Sequence, residues 1–225
     1  MHEGSAQLAY TRDDWNLAFD YTANFFTNEF DSVLADNPLV GTAAVGASDV
    51  GRVALAPENS SHRLSLTGAA AVPAPFPVRV AGTLSWGLRL QDANFIPMTA
   101  NSALTGDPRL DLPSDGLDGR VRTMLGNIVV TARPTADLRI KARYRIYDND
   151  NQTDAIQFNA AVIDGGDIQD RDIRTLTNCY RKQNASLEGR YKLAPKTTAS
   201  LGFDWEHWNR SSEREDANST SSRRR

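Results

Sequence analysis

The stretch from residue 138 to residue 147 alternates between apolar and polar side chains without a break. Its apolar positions are Leu138, Ile140, Ala142, Tyr144 and Ile146, and the basic positions between them are Arg139, Lys141, Arg143 and Arg145. Because successive side chains of a strand point to opposite faces, this pattern predicts a strand with one apolar face and one basic face. A soluble sheet and a transmembrane barrel strand with a wet interior both fit the pattern.

Length and composition limit the remaining choices. The chain has 225 residues, enough for one large domain or two small ones, and 40% of them are hydrophobic. The mean hydropathy of −0.47 is that of a soluble protein. No apolar run approaches the roughly 18 to 20 residues of a membrane helix, which excludes helical spans but not half-polar barrel strands. The net charge of −3 gives no field that favours nucleic acid.

Residues that support catalysis or cofactor binding are sparse. Cys179 is the only cysteine, so it cannot form an internal disulfide or a Cys-x-x-Cys-His haem site. The three histidines, at positions 2, 62 and 207, have no metal-ligand spacing. No Gly-x-Ser-x-Gly motif occurs. We therefore expect no enzyme activity, no catalytic residue, no metal site and no directly bound cofactor, and we interpret the polar segment 148–154 as the start of a loop.

Eight segments alternate like strands, and they pair into four hairpins. The predicted strands are 5–11, 15–25, 62–72, 78–90, 121–132, 137–147, 180–193 and 197–208. The tight turns between partners are centred near residues 13, 75, 135 and 195, so a hairpin recurs about every sixty residues. The strand 121–132 alternates poorly, and its inward and outward faces are not assigned by the sequence.

The connections between hairpins are about thirty residues long, which is uncommon in a compact soluble domain without secondary structure in the loops. Short turns at one edge and long loops at the other are typical of outer-membrane barrels. The sequence therefore predicts an all-β, antiparallel, up-and-down transmembrane β-barrel with short periplasmic turns and long extracellular loops. Residues 1–210 form a single barrel segment in this prediction, and 211–225 form a polar loop or disordered tail.

Aromatic side chains near the predicted strand ends suggest the interfacial girdles of a barrel. They are Trp15, Phe25, Phe26, Tyr147, Trp205 and Trp208.

The basic face provides the candidate functional residues. An Arg or Lys facing lipid at the bilayer midplane costs about 2 to 4 kcal/mol, so the cations must face the barrel interior, or lumen. The predicted lumen-facing residues that contact a partner are Arg79, Arg89, Arg139, Lys141, Arg143, Arg145, Arg190 and Lys192. The predicted counter-charges are Asp20, Glu188, Asp204 and Glu206. Such a lumen suits a water-filled pore or an enclosed polar protein.

An ordered series of short phrases resembles the MtrB/PioB family of outer-membrane barrels that accompany decahaem c-type cytochromes. The phrases are 17–26, 54–59, 82–87, 91–97, 117–119, 142–151 and, less distinctively, 205–206, and the resemblance covers about residues 8–210. It implies a barrel of well over twenty strands that houses a periplasmic multihaem cytochrome and often meets a second cytochrome outside the cell. The haem would belong to the partner.

About eight strands cannot enclose a cytochrome, because the interior of an eight-stranded barrel is filled by side chains. We therefore expect this chain to be an internal fragment of a larger barrel, with outer-membrane localisation. Two alternatives remain open at this point. One is a general diffusion porin with a basic lumen, and the other is a soluble all-β adhesin or carbohydrate-binding module.

Overall fold

A computed structural model describes residues 1–36, 50–163, 167–211 and 218–224, and it consists of strands joined by turns. A short 3₁₀ turn, Pro108–Leu110, lies between the sixth and seventh strands. The strands are β1 (His2–Thr11), β2 (Trp15–Phe26), β3 (Ser32–Asp36), β4 (Val50–Ala54), β5 (Glu58–Val72), β6 (Val78–Asn94), β7 (Gly116–Ala132), β8 (Leu138–Asn151), β9 (Gln157–Ile163), β10 (Asp167–Arg174), β11 (Cys179–Ala194), β12 (Thr197–Ser211) and β13 (Asn218–Arg224).

Nine of these strands form one open antiparallel sheet in the order β1-β2-β5-β6-β7-β8-β11-β12-β13. Each strand pairs with the next long strand along the chain, so the four predicted hairpins and the up-and-down topology are confirmed. Most strands extend beyond their predicted limits toward the long connections. These extensions are polar, and a prediction based on apolar alternation ends where the apolar residues end.

One face of the sheet is apolar from β1 to β12, and we call it the apolar face. Hydrogen-bonded register places one residue of each strand in a continuous row across it, made of Tyr10, Leu17, Gly68, Gly82, Ile128, Tyr144, Ala185 and Trp205. Many large side chains on this face are exposed, including Leu201 at 75% and Leu8 at 73%. Every large hydrophobic side chain that is exposed in these eight strands lies on the apolar face.

A surface of this kind requires an apolar environment. Soluble monomers rarely expose a contiguous apolar patch larger than a few hundred Å², because contact between apolar surface and water is unfavourable in free energy. Contact with lipid acyl chains removes that cost, so the apolar face is the lipid-facing side of a barrel wall. The soluble adhesin alternative does not fit this face. Within the described ranges, no helix is long and apolar enough to cross a membrane.

The apolar face also records the inclination of the strands. The large apolar side chains on this face form a band across the sheet, which we call the apolar band. Pairing between strands aligns Trp205 of β12 with Leu17 of β2. The band ends toward the long loops at Trp205 in β12 but at Phe25 in β2, so this edge shifts by eight residues between the two strands. The opposite edge, from Trp15 to Ala199, moves by about half as much. With about 3.4 Å per residue and 4.8 Å per strand, the band crosses the strands at roughly 25° to 45° from the perpendicular. Barrel strands tilted by 35–45° produce this stagger.

The long connections are more ordered than predicted. The first contains the hairpin β3–β4, and the third contains β9–β10. The second contacts the third, because Phe95 meets Phe158 edge to face at 5.7 Å between ring centroids. Asp107 accepts hydrogen bonds from the backbone and side chain of Arg109, which holds the pKa of the Asp107 carboxyl down at about 2. These contacts organise the loops over one edge of the sheet.

The C-terminal segment differs in part from its prediction. Residues 218–224 form β13, which pairs with β12 from Phe203 to Asn209, whereas a polar loop or disordered tail was expected. A partner strand supplies backbone hydrogen bonds that composition alone does not reveal. Residues 212–217 lie outside the described residues, and the division of the chain at residue 210 stays a prediction.

Candidate partner-binding surface on the polar face

The second face of the sheet, which we call the polar face, is strongly basic in its central strands. Over β5, β6, β7, β8 and β11, this face carries ten cations and one carboxylate, Glu188. The cations are Arg63, Arg79, Arg89, Arg139, Lys141, Arg143, Arg145, Lys182, Arg190 and Lys192. The net charge of −3 over the whole chain conceals this concentration.

Four of these cations form a ladder along β8, consisting of Arg139, Lys141, Arg143 and Arg145. Alternate positions on a strand are about 7 Å apart, so the ladder spans about 20 Å of the wall. All four residues are exposed. In the part of the chain that the structure describes, no carboxylate lies within ion-pair distance of them.

The predicted counter-charges have other partners. Glu188 pairs with Arg190 on its own strand. The carboxylate of Glu206 lies 3.1 Å from Lys182 Nζ, and it accepts a hydrogen bond of 2.7 Å from the Asn184 amide. Asp20 accepts a hydrogen bond of 2.6 Å from the Gln7 amide on β1. The ladder therefore keeps its charge available for an external anion.

Like charges also meet directly across strands. Arg139 on β8 is the register partner of Arg190 on β11, and Lys141 is separated from Arg79 only by Thr131 of β7. Like charges placed opposite each other destabilise a sheet by a few tenths of a kcal/mol or more. An anionic surface brought against this wall would remove that repulsion, which makes the polar face suited to an acidic partner.

An aromatic cluster lies on the polar face beside the ladder, toward the long loops. The Tyr147 and Tyr180 ring centroids are 5.7 Å apart, and those of Tyr180 and Trp208 are 6.0 Å apart. Lys182 Nζ lies 4.5 Å from the Trp208 ring centroid, and the Arg210 guanidinium carbon lies 4.2 Å from it. These cation–π contacts hold both charges on the wall.

This cluster corrects the predicted girdle. Phe26, Tyr147 and Trp208 share the polar face and cannot face lipid, whereas Trp15, Phe25 and Trp205 lie on the apolar face. The prediction used distance from a strand end. Alternation along β8 places Tyr147 on the face opposite to the apolar residue Ile146, so the sequence pattern already predicted the polar face for Tyr147.

The structure places all eight predicted contact residues on the polar face, and their contact with a partner stays a prediction. It adds Arg63 and Lys182, which the sequence interpretation missed. Lys182 lies in phase with Glu188 and Arg190 along β11, so continued alternation toward residue 180 would have found it. Arg63 is in a strand to which no faces had been assigned.

The acidic segment that begins at Asp148 is also placed differently from its prediction, which was the start of a loop. Asp148 and Asp150 belong to β8 itself, because pairing with β7 and β11 continues through them. Asp148 accepts a hydrogen bond of 2.7 Å from Arg181. Among the residues that the structure describes, no group of three or more His, Cys, Asp or Glu side chains is placed to hold a metal ion.

A staggered antiparallel meander with one lipid-facing side and one charged side defines a wall of a transmembrane β-barrel. The chain belongs to the MtrB/PioB family of outer-membrane β-barrel proteins, because the family model described as "Putative outer membrane beta-barrel porin, MtrB/PioB" matches residues 1–224. This membership places the protein in the bacterial outer membrane, and the family is described as a porin rather than as an enzyme.

A curated relative agrees with the family. The chain is 28% identical over 141 residues to "Outer membrane protein MtrB" of Shewanella baltica (strain OS185), which covers 63% of this chain and 18% of the relative. The matched region thus spans less than a fifth of the length of that protein. The resemblance read from the sequence phrases is confirmed at the level of the family.

Proposed function

We propose that this chain forms part of a barrel sheath that houses a periplasmic multihaem c-type cytochrome for electron transfer across the outer membrane. The partner inside the barrel would be a decahaem cytochrome, and a second multihaem cytochrome would meet the complex outside the cell. The barrel insulates and positions the partner, and all haem belongs to the partner. Membership of the MtrB/PioB family supports this role, because the resemblance described in the sequence analysis implies barrels that accompany decahaem cytochromes.

The observation that carries the proposal is the excess of cations over carboxylates on the polar face. A water-filled surface needs no such excess, and an isolated surface ion pair contributes only about 0 to 1 kcal/mol. Against a closely fitting acidic protein the same charges lose water, and complementary potentials then determine orientation and accelerate association. The haem propionates and surface carboxylates of a cytochrome are groups of the required charge.

The first experiment isolates the complex from membranes and measures its Soret absorbance per barrel. The variant R143E/R145E reverses two ladder charges, and R133E/K196E reverses two charges in the tight turns as a matched control. We expect the first variant to retain no more than about one tenth of the haem protein found in the wild-type complex, and we expect the control to retain the wild-type amount. Absence of a haem protein from the wild-type complex, or equal retention by both variants, would contradict the proposal.

A general diffusion porin is the second candidate, and the family description as a porin favours it. The two functions differ in what fills the lumen. A porin conducts ions in a planar bilayer without a partner, and its basic wall would select anions over cations. Large anion-selective conductance from partner-free barrels, combined with no co-purifying haem protein, would establish the porin function instead.

A further inference from the structure

The apolar face ends toward the long loops in a pair of arginines on β7. Arg122 is the first position of β7 beyond the large apolar side chains of this face, and Arg120 is the next position on the same face. Their register partners in β6 are Leu88 and Leu90, so cations and apolar side chains lie at the same height on adjacent strands. A molecule bound at this edge would contact apolar surface and positive charge together.

A hollow of about 480 Å³ lies at this edge. Its lining includes Phe25, Ser60, Leu90, Asp92, Asp118 and Arg120. Phe25 and Leu90 are the last apolar positions of β2 and β6 on this face, so the hollow continues the lipid-facing surface. A hollow with an apolar floor and a charged rim fits an amphiphile at the point where its acyl chains meet its headgroup.

The two arginines are available to a ligand. Both are exposed, and within the described ranges neither has a carboxylate at ion-pair distance. Asp150 is the register partner of Arg122, but its carboxylate accepts a hydrogen bond of 2.7 Å from the Gln152 amide. Alternate positions on a strand are about 7 Å apart, so two long arginine side chains can converge on one anionic group. Guanidinium groups bind phosphate through charge-assisted hydrogen bonds.

A row of carboxylates fixes the height at which an anion can bind. Glu58 is the register partner of Asp92, and Asp92 is the register partner of Asp118, one alternate position farther from the bilayer than Arg120. All three are exposed. Because like charges repel, a phosphate is attracted to the level of the arginines and repelled from the level above it. The hollow therefore favours an anion whose charge lies directly above its acyl chains.

The position of this edge in the membrane indicates which lipid meets it. The long loops of an outer-membrane barrel are extracellular, so the edge lies in the outer leaflet. The main lipid of that leaflet is lipopolysaccharide, whose lipid A anchor carries acyl chains and phosphate monoesters on a sugar backbone. We propose that this edge binds lipid A, with a phosphate monoester on Arg120 and Arg122 and acyl chains along Phe25 and Leu90. The site lies on the apolar face and is independent of what occupies the lumen.

The pair of arginines also distinguishes between kinds of lipid phosphate. A phosphate monoester carries a charge of about −1.5 to −2 and three acceptor oxygens at neutral pH. The phosphodiester of an ordinary phospholipid carries a single negative charge and has fewer free oxygens. Two converging guanidinium groups therefore bind the monoester more tightly than the diester.

Binding to purified lipids tests the site. The intact protein, folded in detergent micelles with EDTA present to prevent cation bridges, is titrated with diphosphorylated lipid A and with dioleoyl phosphatidylglycerol, which has a phosphodiester. Native mass spectrometry measures the dissociation constants. We expect the wild-type protein to bind lipid A at least about tenfold more tightly than phosphatidylglycerol, because only lipid A presents a phosphate monoester to both arginines.

Two variants separate the basic pair from the acidic row. R120Q/R122Q is expected to weaken binding of lipid A by about tenfold, and R133Q/K196Q, which removes two cations from the tight turns, is expected to match the wild type. D92N/D118N is expected to bind lipid A at least as tightly as the wild type, because it removes repulsion without removing a contact. Heat-modifiable electrophoretic migration confirms that each variant is folded.

Four outcomes would overturn the proposal. Equal affinity of the wild-type protein for both lipids would show that the edge does not recognise lipid A. Equal losses in R120Q/R122Q and R133Q/K196Q would show a general charge effect. Weaker binding of lipid A by D92N/D118N would show that the acidic row holds the lipid. A disulfide in native membranes between two barrels that carry Leu90→Cys in a Cys179→Ser background would show that a second copy covers the hollow.

Discussion

Neighbouring residues in one strand experience different media. Leu187 is 53% exposed on the apolar face, and Ser186 beside it lies on the polar face between Arg143 and Asp204. Exposure of a leucine has no cost in acyl chains, whereas a cation at the same position would lose its hydration. The free energy of a substitution therefore depends on the face more than on the residue type.

Leu187→Arg is expected to lower the free energy of unfolding by about 2 to 4 kcal/mol, the cost of an arginine on the lipid side near the midplane. Ser186→Arg places the same side chain one position away on the polar face, and we expect a change below about 1 kcal/mol. Urea unfolding of the protein in phosphocholine vesicles measures both. Equal destabilisation by the two variants would be incompatible with the assignment of faces.

Strand β8 contacts two media along its whole length, acyl chains on its apolar face and the lumen on its polar face. Its apolar positions share a surface with β7 and β11, and its ladder cations share the other surface. Alternation with period two is a consequence of backbone geometry, so every second residue should report the same environment.

Spin labels along β8 should therefore alternate in accessibility. With Cys179→Ser as background, labels at Ile140 and Tyr144 are expected to collide with oxygen dissolved in the acyl chains. Labels at Lys141 and Arg143 are expected to collide with a water-soluble nickel chelate. Power-saturation EPR measures both quantities, and the reverse pattern would show that the apolar and polar faces have been exchanged.

The loop between β6 and β7 has its own electrostatic element in Asp107 and Arg109. The pKa of Asp107 is lowered from 3.8 to about 2, mainly by the hydrogen bond from the Arg109 side chain. A lowered pKa means that the contact is fully formed above pH 3.8 and is lost as the pH falls through 2. In Arg109→Gln we expect the carboxyl pKa, measured by carbon-detected NMR titration, to rise toward 3.8 but to stay below it, because the backbone N–H of residue 109 still donates to Asp107. An unchanged pKa would show that the arginine is not its cause.

For the molecule as a whole, the stagger of the apolar band indicates how far the strands are inclined from the membrane normal. A flat sheet with strands along the membrane normal would show a band perpendicular to the strands. The observed drift between Phe25 and Trp205 requires inclined strands, as in closed barrels. The open edges at β1 and β13 expose unpaired backbone groups, which further strands of a barrel would satisfy.

Polarised infrared spectroscopy of the intact protein in oriented bilayers is expected to give a mean strand tilt of roughly 35° to 45°. The amide I dichroic ratio measures this angle. A tilt below about 20° would be inconsistent with the stagger read from the register, and lipid-free protein dried on the same support provides the unoriented reference.

Local patterns in the sequence are enough to predict the eight long strands β1, β2, β5, β6, β7, β8, β11 and β12, their pairing into hairpins, and the basic face of β8. These properties are local, because alternation with period two and proline-containing turns operate within a few residues. The ordered hairpins in the long connections and strand β13 were not predictable in this way, since their stability depends on pairing partners and on contacts such as Phe95 with Phe158.

The faces of β7 follow from pairing with its neighbouring strands and not from alternation, because Leu125 and Val129 compete with Met124 and Ile128 for the apolar face. Register with β6 and β8 places Leu125 between Ser85 and Tyr147, and Val129 beside Arg143, on the polar face. The ten cations of the wall likewise come from strands that are distant in sequence. Alternation states that two faces exist, but hydrogen bonds between strands align those faces, and that alignment is a property of the folded sheet alone.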